Sequence, residues 1–339
     1  MQVQNALKII FARRHGILAS KTKTLGNHTY EIEADLLRTF TGLDVYTLCS
    51  PTGSPPEADI EDESESSYTE PNTFELEERK VLSRMPNAFT SLQDAQICRN
   101  SLKLQVMRFL SVHAPEVPPC NEFEVNAWWG PWNSARGPTR AIYEVLSSDI
   151  CRWNNAFKPL WTKLKTTGQA TRVPASLLKL QILGMSLALL VAGINDEASF
   201  DEHTNDFLEV TNLAEYVLEN SKSARHKFFL DTHVVLPLYV TAHKCRNSKI
   251  RRRAIALLMN HPRREGVWDS LFSGKLAEWV MELEEAFLQN GKVPGFARIR
   301  GLRVVRDGSE QVTAVCDQRV SETSEEIVRR SLVLRDCGR

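Results

Sequence analysis

HKCRNSKIRRRAIALLMNHPRREGVWDSLFSGKLAEWVMELEE, residues 243–285, is the stretch whose reading decides the fold. Ile250, Ala254, Ile255, Leu257 and Leu258 recur at three- and four-residue spacing, which puts them on one face of a helix. Ser248 stands ahead of them as a candidate N-cap. Pro262 cannot continue a helix, so the first helix is predicted to end near Asn260. A second helix is predicted from about Asp269, with Leu271, Phe272, Leu276, Trp279, Val280 and Leu283 turned inward. The connection is short, so the segment reads as two packed helices anchored by Trp268 and Trp279.

Outward from this pair the same period recurs. It predicts helices at residues 3–19, 30–48, 92–114, 140–165, 175–191, 206–218 and 232–245. The most apolar of them, around residues 177–194, is interrupted by Lys179, Gln181, Gly184, Ser186 and Gly193 and reads as a buried core helix, so no membrane association is expected. Residues 50–72 hold proline, serine and acid with almost no apolar side chain, and are predicted to be a disordered loop. After residue 297 the period changes to two: residues 298–305 and 311–319 alternate across an Asp307-Gly308 turn, and residues 327–334 offer a third strand. The predicted fold class is mainly α, a multi-helix bundle-like body with a small C-terminal antiparallel hairpin or three-stranded meander. The division follows: N-terminal helices 1–49, acidic loop 50–72, main helical body 73–290, β appendage and tail 291–339.

Lys and Arg balance Asp and Glu at 42 each, so the bulk surface lacks the positive field that nucleic-acid binding requires. The seven cysteines, at 49, 98, 120, 151, 245, 316 and 337, form no C-x-x-C pair, so this sequence builds neither a zinc ribbon nor a binuclear cluster. They read as reduced and mostly buried. Nucleotide-binding, serine-hydrolase and zinc-protease motifs do not occur. Asp196, Glu197, Asp201, Glu202 and His203 invite a metal reading, but a polar turn whose acids complement the next helix dipole accounts for them better. His226, His233 and His243 read as satisfied or solvent-facing. No cofactor, metal or catalytic set is expected.

Three uses fit the basic run Lys249, Arg251, Arg252, Arg253, Arg263 and Arg264: a nuclear-localisation or nucleic-acid patch, a solvated helix start, or an internal ion-pair network with Glu278, Glu282, Glu284 and Glu285. The network is favoured, because guanidinium suits multi-donor pairing with carboxylates on an adjacent helix. Trp128, Trp129 and Trp132 are either loop packing or the lining of a candidate ligand pocket for an aromatic molecule.

KCRNSKIRRRAIALL (244–258), RREGVWD (263–269) and AEWVMELEE (277–285) closely resemble the C-terminal signature of the regulatory region in fungal Zn2Cys6 transcription factors. The carrying residues are Lys244, Cys245, Arg246, Ile250, Arg251, Arg252, Arg253, Arg263, Arg264, Glu265, Gly266, Trp268, Asp269, Glu278 and Trp279. Residues 31–48, 86–104, 151–164, 175–200 and 229–244 resemble the family's earlier helices more loosely. The resemblance implies transcriptional regulation in the nucleus (the cytoplasm is the alternative) through a small-molecule effector or a protein partner, with DNA reached only through a separate domain or partner. The competing readings are an enzyme of a fungal metabolic gene cluster with an aromatic-lined pocket, and a stand-alone helical scaffold.

Overall fold

The computed structural model describes residues 73–112, 138–193, 197–220, 228–229, 233–266, 268–306, 311–324 and 326–335. The predicted helices at 3–19 and 30–48, the acidic loop 50–72 and the tryptophans at 128, 129 and 132 lie outside the described residues. What is described is mainly α with a C-terminal three-stranded antiparallel sheet, as predicted.

Its helices are α1 (Thr73–Ser83), α2 (Leu92–Val112), α3 (Pro138–Leu164), α4 (Gln169–Gly193), α5 (Thr204–Asn220), α6 (Val235–Lys244), α7 (Ser248–Asn260) and α8 (Ser270–Glu285), with a 3-10 turn at Glu197–His203 before α5. Helix α1 is an addition to the sequence reading. Helix α2 begins where Ser91 Oγ accepts the Asp94 N–H at 3.1 Å and donates back to the Asp94 carboxylate at 2.8 Å, a reciprocal cap. The cap of α7 is Asn247 and not Ser248: its side chain accepts the N–H groups of Lys249 and Ile250. Asp269 caps α8 by accepting the Phe272 N–H at 2.8 Å.

Helix α4 organises the body. It is apolar nearly all round, so one side joins a core with α1, α2 and α3, built on Leu102, Val106, Trp153, Phe157, Ile182 and Met185. Its other side joins a second core with α5 to α8, built on Leu180, Leu187, Phe207, Leu238, Leu258 and Val280. Trp161 packs against both. Trp153 is fully buried, and its indole N–H donates to the Ala95 carbonyl at 2.9 Å.

The link between α7 and α8 is not a plain turn. Strands β2 (Arg264–Glu265) and β3 (Trp268–Asp269) pair antiparallel, and β1 (Phe228–Phe229) adds in parallel to β2. Gly266 turns the corner with φ 58°, a conformation that favours glycine, and its N–H donates to the Phe229 carbonyl at 2.8 Å. Beyond α8, β4 (Arg300–Arg306), β5 (Gln311–Arg319) and β6 (Ile327–Arg335) form the meander, in the order of the chain. In β5, Val312, Ala314, Cys316 and Gln318 alternate inward, so one sheet face closes the second core.

Candidate effector cleft and the ion network beside it

A cleft opens where α2, α4 and the first turn of α6 meet. Its described lining is Arg99, Lys103, Val106, Met107, Leu110, Gln181, Gly184, Met185, Ala188, His233, Leu236 and Pro237, and it is partly open to solvent. Each wall is a helical stripe: positions 99, 103, 106 and 110 share a face of α2, and 181, 184, 185 and 188 share a face of α4. Gly184 sets the width. A Cβ there would stand 2.6 Å from the Pro237 ring, so glycine is what lets α6 approach α4. The described lining combines the polar groups of Arg99, Lys103, Gln181 and His233 with apolar side chains.

The entry to α6 is the floor of this cleft. One carboxylate oxygen, Glu265 Oε2, accepts the N–H groups of His233, Val234 and Val235 at 2.7, 2.9 and 2.9 Å, and so satisfies the first free donors of the helix from outside it. Arg263 stands 3.5 Å from the other oxygen. Glu265 is fully buried, and burial raises its pKa above the ordinary value despite those N–H bonds and the Arg263 charge.

At its other end α6 runs into a buried ion network. Glu284 takes Arg246 at 2.9 Å, Arg251 at 2.8 Å and the Ile299 N–H at 3.1 Å. Burial alone would raise its pKa, but Arg246, Arg251 and the hydrogen bonds outweigh it and hold the carboxyl down to about 2. Arg246 continues to Glu197 at 2.9 Å, and Lys244 pairs with the same carboxylate. Arg251 Nε donates to the Ala242 carbonyl at 2.8 Å, and Arg298 reaches from beneath the sheet to Asp201 at 2.6 Å. The network therefore ties the 3-10 turn, α6, α7, α8 and the start of the sheet together.

Several expectations are corrected here. Glu197 is a partner in the buried ion network, and Asp201, itself exposed, pairs with the buried Arg298, so the two are not merely a polar turn. His243 is not solvent-facing: it is buried, stacked at 5.8 Å on Tyr239, and its Nδ1 has no hydrogen-bond partner among the described residues. Burial, then the charges of Lys244, Arg246 and Arg251, push its pKa well below the ordinary value, so it is neutral. The favoured arginine network exists in part as expected, with Arg251 on Glu284 and Arg252 on Glu285, while Arg253 pairs instead with Glu215 on α5 and Arg263 with Glu265. Glu278 and Glu282 are exposed. Lys249 is exposed too, and Arg264, also exposed, donates to the Gly266 carbonyl at 3.3 Å. Trp268 and Trp279 are only half-buried against the core, Trp268 beside Tyr239 at 5.7 Å. Ile250 and Cys245 are buried as core residues, and burial raises the Cys245 pKa above its ordinary value.

No sequence signal marked Glu197, Glu284 and Arg298 as one site, since their positions lie far apart along the chain. No family model, curated protein or solved structure matches the chain.

Proposed function

We propose that this chain is the regulatory region of a fungal zinc-cluster-type transcription factor, working in the nucleus by holding an effector in the α2–α4–α6 cleft. The observation that carries the reading is the placement of α6. Lys244, where the close family resemblance begins, ends the helix whose first turn forms the cleft floor, with Cys245 as its C-cap and Arg246 just beyond. Glu265, from the resembling RREGVWD segment, caps that first turn. A bound molecule that leans on α6 thus acts on the resembling residues at both helix ends. Such a molecule shifts the population of states only by preferring one of them. DNA contact is assigned to a separate domain or partner, in keeping with the balanced charge.

The test is a reporter assay. The chain is fused to a heterologous DNA-binding domain, and metabolites that raise its melting temperature are added to the reporter cells. The expected outcome is a ligand-dependent change in transcription, with the ligand recovered unaltered by mass spectrometry. A converted ligand moves the protein to the enzyme reading. Reporter output equal to that of the DNA-binding domain alone, with every compound, overturns the proposal.

A further inference from the structure

We propose that two copies of this chain join through β6, edge to edge and antiparallel about a two-fold axis at Ser331, so that the two meanders form one continuous sheet. The assembly does not depend on what the cleft holds. The strand order β4-β5-β6 leaves β6 at an edge, and among the described residues no strand pairs with its far side. The ladder fixes which backbone groups face that side. The Val320 N–H donates to the Glu326 carbonyl at 3.1 Å, so this directly opposed pair is a hydrogen-bonded one. Hydrogen-bonded and non-hydrogen-bonded pairs alternate along an antiparallel ladder. Residues 328, 330, 332 and 334 therefore direct their N–H and C=O groups to β5, and residues 327, 329, 331, 333 and 335 turn theirs outward. Ile327, Arg329, Ser331 and Val333 are also the strand's exposed side chains, Ile327 by 63% and Val333 by 58%.

The two edges of the sheet are built differently. On β4 the register shifts between Arg300 and Arg303 and Gly301 sits at φ 57°, an irregularity of the kind that turns an edge away from further pairing. Strand β6 pairs with β5 over all nine of its residues without a shift, and it contains no proline. A second copy fits this open edge because of where the arginines stand. With the axis at Ser331 the nine residues of each strand overlap completely, and outward-turned backbone groups meet outward-turned ones. Arg329 then faces Val333, Arg330 faces Leu332, Val328 faces Leu334 and Ile327 faces residue 335 of the other copy. An axis at residue 330 or 329 would set an arginine against its own copy, and an axis at 332 would set Arg329 against Arg335. Like charges directly opposite destabilise a pair of strands, so the register at Ser331 is selected. Arg329 is already matched by Asp317 of its own chain at 3.1 Å, and its aliphatic stem can cover the exposed Val333 across the seam. Nine residues a side fall short of the roughly 20–30 of a standard interface, so a reversible dimer is expected, with a dissociation constant on the order of micromolar.

Analytical ultracentrifugation of the intact chain, from low to high micromolar concentration, tests the pairing. A monomer–dimer equilibrium is expected in that range. Ser331→Asp, at an exposed position, sets two carboxylates face to face on the axis and should weaken the dimer about tenfold or more. Ser148→Asp, on the exposed side of α3, adds the same charge and should leave the dimer intact. Cross-linking reads the register. Opposed residues of a hydrogen-bonded pair stand about 5.5 Å apart at Cα, within disulfide reach, so Ser331→Cys should oxidise to a covalent dimer well above the wild-type background. Ile327→Cys should not, because the axis places residue 327 of one copy opposite residue 335 of the other. Should Ser331→Asp disturb the sheet, the Ser331→Cys cross-link decides by itself. A monomer at every concentration overturns the proposal, whether the edge stays open or a different protein takes it. A dimer indifferent to Ser331→Asp overturns the location, and Ile327→Cys cross-linking as strongly as Ser331→Cys overturns the register.

Discussion

Glu284 is the single side chain on which most of the C-terminal half converges. It is fully buried with two guanidiniums on it, and a buried charge pair is costly to break because the survivor is left uncompensated. Glu284→Gln should therefore cost about 3–5 kcal/mol, read from the midpoint of a urea melt at neutral pH. A pH dependence follows with a definite sign. The carboxyl titrates near 4.5 when unfolded and is held down to about 2 when folded. The unfolded chain thus takes up the proton first as pH falls. The stability this group supplies is complete above about pH 4.5 and drains away as pH drops towards about 2. Stability of the wild type should decline through that window by up to about 1.4 kcal/mol per pH unit from this group, and Glu284→Gln should show a shallower decline. An equal slope in the two proteins would place the acid sensitivity elsewhere, with Glu197 the next carboxylate to examine, since Lys244 and Arg246 outweigh its burial and hold its pKa down too.

Among the elements, α6 is short and depends on its neighbours at both ends. Glu265→Ala would leave the N–H groups of His233, Val234 and Val235 buried without an acceptor, at about 1–3 kcal/mol for each group that water cannot reach. Glu265→Gln keeps an acceptor oxygen and removes a charge that burial already disfavours, so it should recover most of the loss in a thermal melt. If both variants melt alike, capping is not what Glu265 does. At the α4–α6 crossing, Gly184→Ala should cost about 1–3 kcal/mol despite the better helix propensity of alanine, because the Pro237 ring cannot move aside. Gly274→Ala is the comparison: its new methyl would meet Met259 Sδ at 2.7 Å, which can yield, and Leu258 Cβ at 3.3 Å, which must give slightly, so a smaller loss of midpoint than for Gly184→Ala is expected.

The long helices were legible because their apolar residues repeat every three or four positions, and the meander because β5 alternates without a break. Helix α1 was not, since Glu75, Glu77 and Glu78 dilute its apolar residues and it follows an acidic run. Strands of two residues carry no period, and β1 meets β2 across a long separation, so the small sheet was invisible. The arginine network was legible only as chemistry. Charge says that Arg246 and Arg251 need carboxylates, but the choice of Glu284 over the exposed Glu278 depends on which face of α8 is covered.

For the whole molecule, the two cores share α4, so neither can be lost without exposing the other. Urea unfolding followed by tryptophan fluorescence, which samples Trp153 in the first core and Trp268 and Trp279 against the second, and by far-UV circular dichroism should give coincident transitions. Leu180→Ala and Ile182→Ala, on opposite sides of α4, should each lower that one midpoint by about 2–5 kcal/mol of stability without splitting it. Two separate transitions would show that the cores are independent. The shared helix also constrains how the chain can be made and cut. Among the described residues, α4 is long and apolar enough to cross a membrane, and α5 to α8 cover one of its sides. During synthesis it leaves the ribosome before α5 to α8 exist, with the side that joins the second core uncovered. Any gene fragment that stops short of α5 would present that surface permanently, and a soluble piece of this protein has to keep α4 together with partners from both sides.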